Sequence, residues 1–524
     1  MAHLRFDPDP ACDVLVAGGG PAGAATAAHL ARAGLRVTLL DRQRFPRDKV
    51  CGDFVGPAAM VELDALGVTG VPEYRATNVI RHAAVHLNGV ELIRQPLPQV
   101  EGMPAYGRVI PRMLLDAWLL DAARRAGANL VEGVRVTGFD AGPHGVTVAA
   151  ERDREPCTFR ARLLVGADGS NSVVARTLRG SVPPDEDRIV AVRAYYDGDS
   201  GPEDRCDLYF TGESFPGYYW LFPTGGGRAN VGVGMVLETL PPTGDHLRGL
   251  LLDLVARDPA LSARLEGARM EGKVVGWPLT TYDARLPVVG ERVMLVGDAA
   301  GFINPLNGEG IQYALVSARW AAETVADAVA ADDFSVARLK TYAARAEREL
   351  RYDMALAGLV VHLIRNRHLT PVWLEALKVI SSRARVDREY AAVAGGILAG
   401  LAPARDALTF RVVGRTLEQA VRSLGMSLAW NALKGPRNLS RLGRGVAGGS
   451  AAMVAGVLQD PLALFDWVVG ALRQGGELAG QFGAHVLDGG AAPDPPVAFE
   501  GEEVRLQIPL DHVHHDLLHQ PPVV

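Results

Sequence analysis

The run Gly18-Gly19-Gly20-Pro21-Ala22-Gly23 sets its glycines in the G-x-G-x-x-G spacing, and its chemistry lies in the backbone. Gly18 permits a tight turn, Gly20 lets the main chain approach a phosphate, and Gly23 allows a helix to pack closely on a strand. The amides and dipole of the helix start that follows favour a pyrophosphate. Asp41 stands 18 positions after Gly23, where a carboxylate would accept the hydroxyls of an adenosine ribose, and Arg42 follows it as a further cofactor-side candidate. These residues specify a dinucleotide without choosing between NAD and FAD. Cys51 offers a thiol for proton handling or reaction, set against the ordinary role of a small buried apolar residue. Tyr218, Trp220 and Phe222 alternate, so on a strand they share one face, as the wall of a binding cavity or as sheet core. His512, His514, His515 and His519 are metal-like in type, but their Pro-flanked setting reads as a solvated tail and no metal site is expected.

The elements that must position these groups are those of an α/β protein. Residues 13–18 read as a buried parallel strand, 21–33 as an Ala-rich helix ended by Gly34, and 35–40 as the next strand, which together make one βαβ unit. A helix over 111–126 and strands over 128–136 and 163–166 continue the parallel sheet. Between about 181 and 284 short β-rich runs separated by Gly, Pro and Asp predict an antiparallel sheet, and 225–234 reads as a hairpin turn, not a second dinucleotide loop. The buried-strand pattern returns at Arg292 and leads into a helix from about 310 to 331. The expected fold is therefore a Rossmann-type dinucleotide-binding domain (1–180 and 285–334) with an inserted β-rich substrate domain (181–284). A C-terminal helical domain (335–487) and a loosely ordered tail (488–524) follow.

FAD rather than NAD follows from two distant stretches. Residues 163–176, LLVGADGSNSVVAR, resemble the DG motif of aromatic-hydroxylase-type flavoproteins through Asp168. Residues 292–315, RVMLVGDAAGFINPLNGEGIQYAL, resemble their GD motif. That resemblance implies that Asp298 hydrogen-bonds the ribityl chain of FAD, with Pro305, Gly308 and Gly310 in the turn beside it. The helix start after that turn would stabilise negative charge at N1 and O2 of the reduced flavin. Lys49-Val50-Cys51-Gly52-Asp53 and Tyr218-Tyr219-Trp220-Leu221-Phe222-Pro223 resemble the Lys-x-Cys-Gly loop and the Y-x-W-x-F-P strand of the geranylgeranyl reductase family. The likeness spans 12 to about 330 and fades after 340. It implies that Arg112, of an R-x-x-x-D helix that includes Asp116, serves the cofactor, and that the aromatic strand lines a substrate cavity over the flavin. The family often has glycine where this chain has Asp53. Phe45-Pro46-Arg47 is similar to flavin halogenases, whose G-E-S loop and W-x-W-x-I-P strand are not matched.

The expected function is an FAD-dependent oxidoreductase acting on a hydrophobic isoprenoid or polyketide substrate by hydride transfer from reduced flavin. NAD(P)H, ferredoxin or a separate flavin reductase would supply the electrons transiently. The alternatives are a natural-product tailoring hydroxylase and a polyketide cyclase like the flavoprotein dialkyldecalin synthases, in which FAD shapes the pocket without net redox. With 54 Lys and Arg against 60 Asp and Glu, the net charge of -6 provides no field for nucleic acid. The four cysteines, Cys12, Cys51, Cys157 and Cys206, show no paired spacing, as reduced thiols in a cytoplasmic protein would. Lys434, Arg437, Arg441 and Arg444 read as a solvated basic helix face, or as a surface for peripheral contact with anionic lipid.

Overall fold

The computed structural model of the chain describes residues 12–180, 188–240, 246–398, scattered positions between 412 and 422, and 467–479. The basic cluster around 434–444 and the histidines of 512–519 lie outside the described residues.

The strand Cys12–Ala17 is buried along nearly its whole length and pairs in parallel with Val37–Asp41 on one side and Glu155–Gly166 on the other. A strand hidden on both faces must be apolar throughout, which is why this run does not alternate. Asn129–Glu132 adds beyond Val37–Asp41, and Val293–Leu295 adds in parallel beyond Glu155–Gly166. The sheet has eight strands among the described residues, including the hairpin of Val134–Gly142 and Gly145–Arg152, which folds back on Glu155–Gly166. The helices Pro21–Arg32, Arg112–Ala126 and Ile311–Ala330 cover it with small and branched apolar side chains.

Among the described residues a second sheet of seven strands is antiparallel except where Arg205–Phe210 pairs in parallel with His82–Leu87. Two of its strands, His82–Leu87 and Val90–Pro96, come from chain well before residue 181. The segment N-terminal to 180 therefore contributes to both sheets, because the exposed edge of Arg205–Phe210 is closed by this early hairpin. The helices His246–Arg257 and Pro259–Arg264 pack on one face of the sheet. Gly225, Gly226 and Gly227 all have positive φ and form the turn between Tyr218–Gly225 and Arg228–Val236. Beyond residue 335 the described chain is helical: Val336–Ile364, Thr370–Val386, Arg388–Leu398 and the stretch 467–479.

Candidate active site

One cavity of about 1020 Å³ begins at the glycine loop, passes the loop around Cys51 and the aromatic strand, and ends against the C-terminal helices. The glycine cradle is built by contacts that no side chain would tolerate. A Cβ on Gly18 (φ +106) would stand 2.3 Å from the Ala167 carbonyl oxygen, and one on Gly23 would stand 1.8 Å from the Gly18 oxygen. Gly20 precedes the 12-residue helix Pro21–Arg32, whose first turn has no side-chain cap. Its unsatisfied amides lie at a cavity wall formed by Gly18, Gly20, Pro21 and Ala22, the arrangement that holds a phosphate. The Arg47 guanidinium reaches within 3.8 Å of the place a Gly20 Cβ would take.

Arg47 and Arg112 are held there by one carboxylate. Fully buried Asp116 accepts from Arg112 Nε and Nη2, both at 2.7 Å, and forms an ion pair with Arg47 Nη1 at 2.8 Å. Burial opposes the Arg112 charge, but Asp116 outweighs it and keeps the guanidinium protonated above its ordinary range. Removing one partner of such a buried pair costs about 3–5 kcal/mol. The open helix end, the cradle and two guanidiniums aimed at one cavity fit the pyrophosphate of FAD.

The four carboxylates around this cradle differ in what they have left to offer. Asp41 Oδ2 accepts from the Gly19 amide and Oδ1 from the Gln43 amide, each at 2.7 Å, so it braces the loop while the residue also lines the cavity. Asp168 is committed locally: it accepts from the Ser172 hydroxyl at 2.5 Å and from the amides of Val173 and Val174. Burial nevertheless holds its carboxyl above the usual range. Asp298 accepts from the Ser170 hydroxyl at 3.2 Å and lines the cavity, 3.4 Å from where a Gly310 Cβ would stand. Glu309 accepts from the Gln312 amide at 3.0 Å, and burial pushes it up to about 7. The start of the helix Ile311–Ala330, read above as open to the reduced flavin, already faces the carboxylate of its own chain. Pro305, Gly308 and Gly310 line the cavity beside it.

The 49–53 loop lies across the aromatic strand. Tyr218, Trp220 and Phe222 line the cavity, with ring centroids 6.3 Å and 6.2 Å apart in succession, whereas Tyr219 and Leu221 enter the core beneath the sheet. A Cβ on Gly52 would touch the Phe222 ring at 3.0 Å, so loop and strand are in direct contact. Tyr218 donates to the Asn307 carbonyl at 2.6 Å. Lys49 Nζ sits 3.8 Å over the Trp277 ring, and the Arg42 guanidinium lies 5.9 Å from the same ring. Burial lowers Lys49 to about 8 despite the nearby Asp298 charge. Burial also pushes the Cys51 thiol up to about 11, against the pull of Arg112, so Cys51 is a protonated thiol at neutral pH.

Asn230 ties this region together. Its Oδ1 accepts from Trp220 Nε1 at 3.0 Å, and its Nδ2 donates to the Cys51 carbonyl and to Asp53 Oδ2, both at 2.8 Å. Asp53 is wholly buried and has φ +64, a backbone conformation that glycine accepts readily and other residues rarely adopt. Tyr195 also donates to Asp53 Oδ2, at 2.5 Å. Burial raises Asp53 to about 6, opposed by Tyr195, Asn230, Arg193 and Arg112. The sequence did not single out Asn230, Tyr195, Trp277 or Glu309, nor the roles of Arg47 and Lys49 at the cavity wall. The readable signal for Asn230 was a polar side chain between buried Ala229 and Val231, at a position where a strand admits only a satisfied polar group.

Among the described residues no group of three His, Cys, Asp or Glu is placed to hold a metal ion, and no helix is long and apolar enough to cross a membrane.

A family profile described as an FAD binding domain matches residues 11–195. Menaquinone reductase of Mycolicibacterium smegmatis is 35% identical over 324 residues, covering 59% of this chain and 75% of that protein. Digeranylgeranylglycerophospholipid reductase 2 of Methanopyrus kandleri is 34% identical over 343 residues, covering 64% and 82%. The fold is similar to that of a geranylgeranyl bacteriochlorophyll reductase-like protein from Thermoplasma acidophilum, with TM-score 0.62 and 21% identity over 80% of this chain and 98% of that one. A flavin-dependent brominase shares the fold at TM-score 0.61 and 18% identity, over 79% of this chain and 99% of that one. With the diphosphate cradle and the cavity beyond it in place, the chain belongs to the geranylgeranyl reductase family of FAD-dependent oxidoreductases.

Proposed function

We infer that this protein reduces a carbon–carbon double bond in the prenyl chain of a lipid or quinone. The observation that carries the reading is the continuity of the cavity, from the glycine cradle past the 49–53 loop to an apolar end formed by Ile93, Leu97, Leu208, Ile364, Leu377 and Ile380. Bound FAD, once reduced, supplies hydride chemistry. The protein's part is to hold the pyrophosphate at Gly18, Gly20 and Gly23 with Arg47 and Arg112 beside it, and to keep a greasy chain against Tyr218, Trp220 and Phe222. Each buried CH₂ of that chain contributes about 0.8 kcal/mol, so several isoprene units bind without a polar anchor. Asp298, Pro305, Gly308 and Gly310 are assigned to the flavin side, and Cys51 to the substrate side as a protonated thiol. Reductases of prenylated substrates among the relatives support the same class. Electrons come from a nicotinamide or a protein donor that binds transiently.

The test is anaerobic reduction of the FAD-loaded enzyme with dithionite, followed by mixing with geranylgeranyl diphosphate. Reoxidation of the flavin with formation of a product heavier by two hydrogens is the expected result. A reduced enzyme that ignores prenyl compounds but hydroxylates an aromatic or polyketide substrate in oxygen would sink the reading.

A further inference from the structure

A line of contacts leads from the glycine cradle to the aromatic wall. A Cβ on Gly297 would stand 2.8 Å from the Ala22 side chain, one on Gly310 would stand 3.4 Å from Asp298 Oδ1, and one on Gly308 would stand 3.9 Å from the Tyr218 hydroxyl. Asp298, Gly308, Glu309 and Gly310 line the cavity along this path, and Glu309 is only half-buried, so it presents surface to the cavity. Its carboxylate sits where the 20-residue helix Ile311–Ala330 begins. Oε1 accepts from the Gln312 amide at 3.0 Å, and the amides of Ile311 and Gly310 are turned to the same group. A helix start without such a group offers free amides to an incoming negative charge. Here they are spent on an anion of the chain itself. Among the described residues no lysine or arginine pairs with Glu309. The titratable groups that face it are Asp298 on the short helix Gly297–Ala300, Tyr218 on the strand Tyr218–Gly225, and Tyr313 on the helix that follows. Asp298 repels its charge, and the two phenols, which burial keeps neutral, contribute none.

We propose that Glu309 is the redox-linked proton site of the flavin, ionised beside the oxidised form and neutral beside the reduced one. This concerns the flavin alone and does not depend on the substrate reading above. Reduction brings two electrons and one proton, as hydride from a nicotinamide or as electrons from a protein donor with a proton from water. One negative charge is thereby added in the cavity. Like charges that share one partly desolvated wall disfavour each other, so the Glu309 carboxylate takes one further proton from water and becomes the neutral acid. Loss of hydride reverses both changes. Burial already holds the carboxyl up at about 7, opposed by the amides of Gln312 and Ile311, so a modest further push protonates it at physiological pH. Above that value reduction must be accompanied by capture of this proton, and the ionised carboxylate makes the flavin a stronger reductant.

The experiment measures the two-electron reduction potential of the FAD-loaded wild type and of Glu309→Gln, with dithionite and mediator dyes and no substrate, from about pH 5 to about pH 9. The variant keeps an acceptor for the Gln312 amide and cannot ionise. Below about pH 7 the two potentials are expected to run in parallel. Above it the wild type is expected to fall away from the variant by roughly tenfold in the reduction equilibrium per pH unit, which is about 30 mV. A difference that stays constant across the whole range overturns the proposal. A second readout uses the wild type by itself, so it survives a variant that fails to retain FAD. The reduced-minus-oxidised infrared spectrum at about pH 8 is expected to gain the C=O band of a protonated carboxylic acid. Absence of that band overturns the proposal, as does its persistence in Glu309→Gln. No prenyl compound is present in either measurement, so the reductase reading stands or falls by its own test.

Discussion

Replacing Asp53 by Asn separates the cost of a buried charge from every other consequence of the site. The amide copies the neutral acid in shape and can still accept from Tyr195 and Asn230, but it cannot ionise. Asp53 titrates at about 6 in the folded protein against 3.8 for an ordinary aspartate, and burial is the main cause. At about 1.4 kcal/mol per pH unit, that gap corresponds to about 3 kcal/mol. The sign follows from which state holds the proton more tightly. The folded protein does, so the contribution of Asp53 is fully present below pH 3.8, fades as pH rises through about 6, and leaves an ionised buried carboxylate above that. Wild type and Asp53→Asn are therefore expected to be equally pH-dependent up to about pH 4, with the asparagine variant gaining about 3 kcal/mol in relative stability by about pH 7. All other titrating groups are common to both proteins and cancel in the difference. Urea unfolding followed by far-UV circular dichroism at a series of pH values, with FAD saturating, measures it. A stability difference that stays constant between about pH 4 and pH 8 would show that Asp53 is not desolvated in the folded protein, and the argument would fall.

Gly23→Ala would force a methyl group to within 1.8 Å of the Gly18 oxygen, so the loop must open at a cost of about 3 kcal/mol or more. The variant is expected to purify with little bound FAD, read from its visible spectrum. Cys51, held protonated up to about 11, is expected to react with iodoacetamide at neutral pH far more slowly than a free thiol, as mass spectrometry of the labelled peptide would show. Ala394 lines the cavity from the helix Arg388–Leu398, and Ala394→Phe would fill space that the proposed function assigns to the last isoprene units. That variant is expected to keep activity on geranyl diphosphate and to lose most of it on geranylgeranyl diphosphate in the same reoxidation assay.

The parts of this site that could be read from the sequence are those whose cause is local. A tight turn between strand and helix admits only glycine where a Cβ would strike the backbone, so Gly18 and Gly23 announce the cradle by identity alone. Alternation along one strand likewise brings Tyr218, Trp220 and Phe222 to one wall, with Tyr219 and Leu221 behind them. Carboxylates are harder, because an acid at a strand end bonds with whichever amides fold nearest to it. Asp168 turns to the helix start that follows it, and Asp41 to the loop it faces, although both stand where a cofactor acceptor would stand. Glu309 fills a helix end for the same reason.

Asp53 is the opposite case, since nothing within its own segment settles its state. Its partners arrive from 142 and 177 residues away, on two strands of the other sheet, and their convergence on Oδ2 leaves Oδ1 without a hydrogen-bond partner. By type alone the residue adds a charge to a loop beside the flavin. Enclosed by Tyr195, Asn230 and the aromatic strand, and raised to about 6 by burial, it becomes a weak acid whose neutral form is within reach at physiological pH. A positive-φ position, which glycine would occupy without strain, holds this acid instead. Strain of that kind persists where the surrounding structure over-determines it, and here the determinants are the hydrogen bonds from Tyr195 and Asn230 that hold the acid in place.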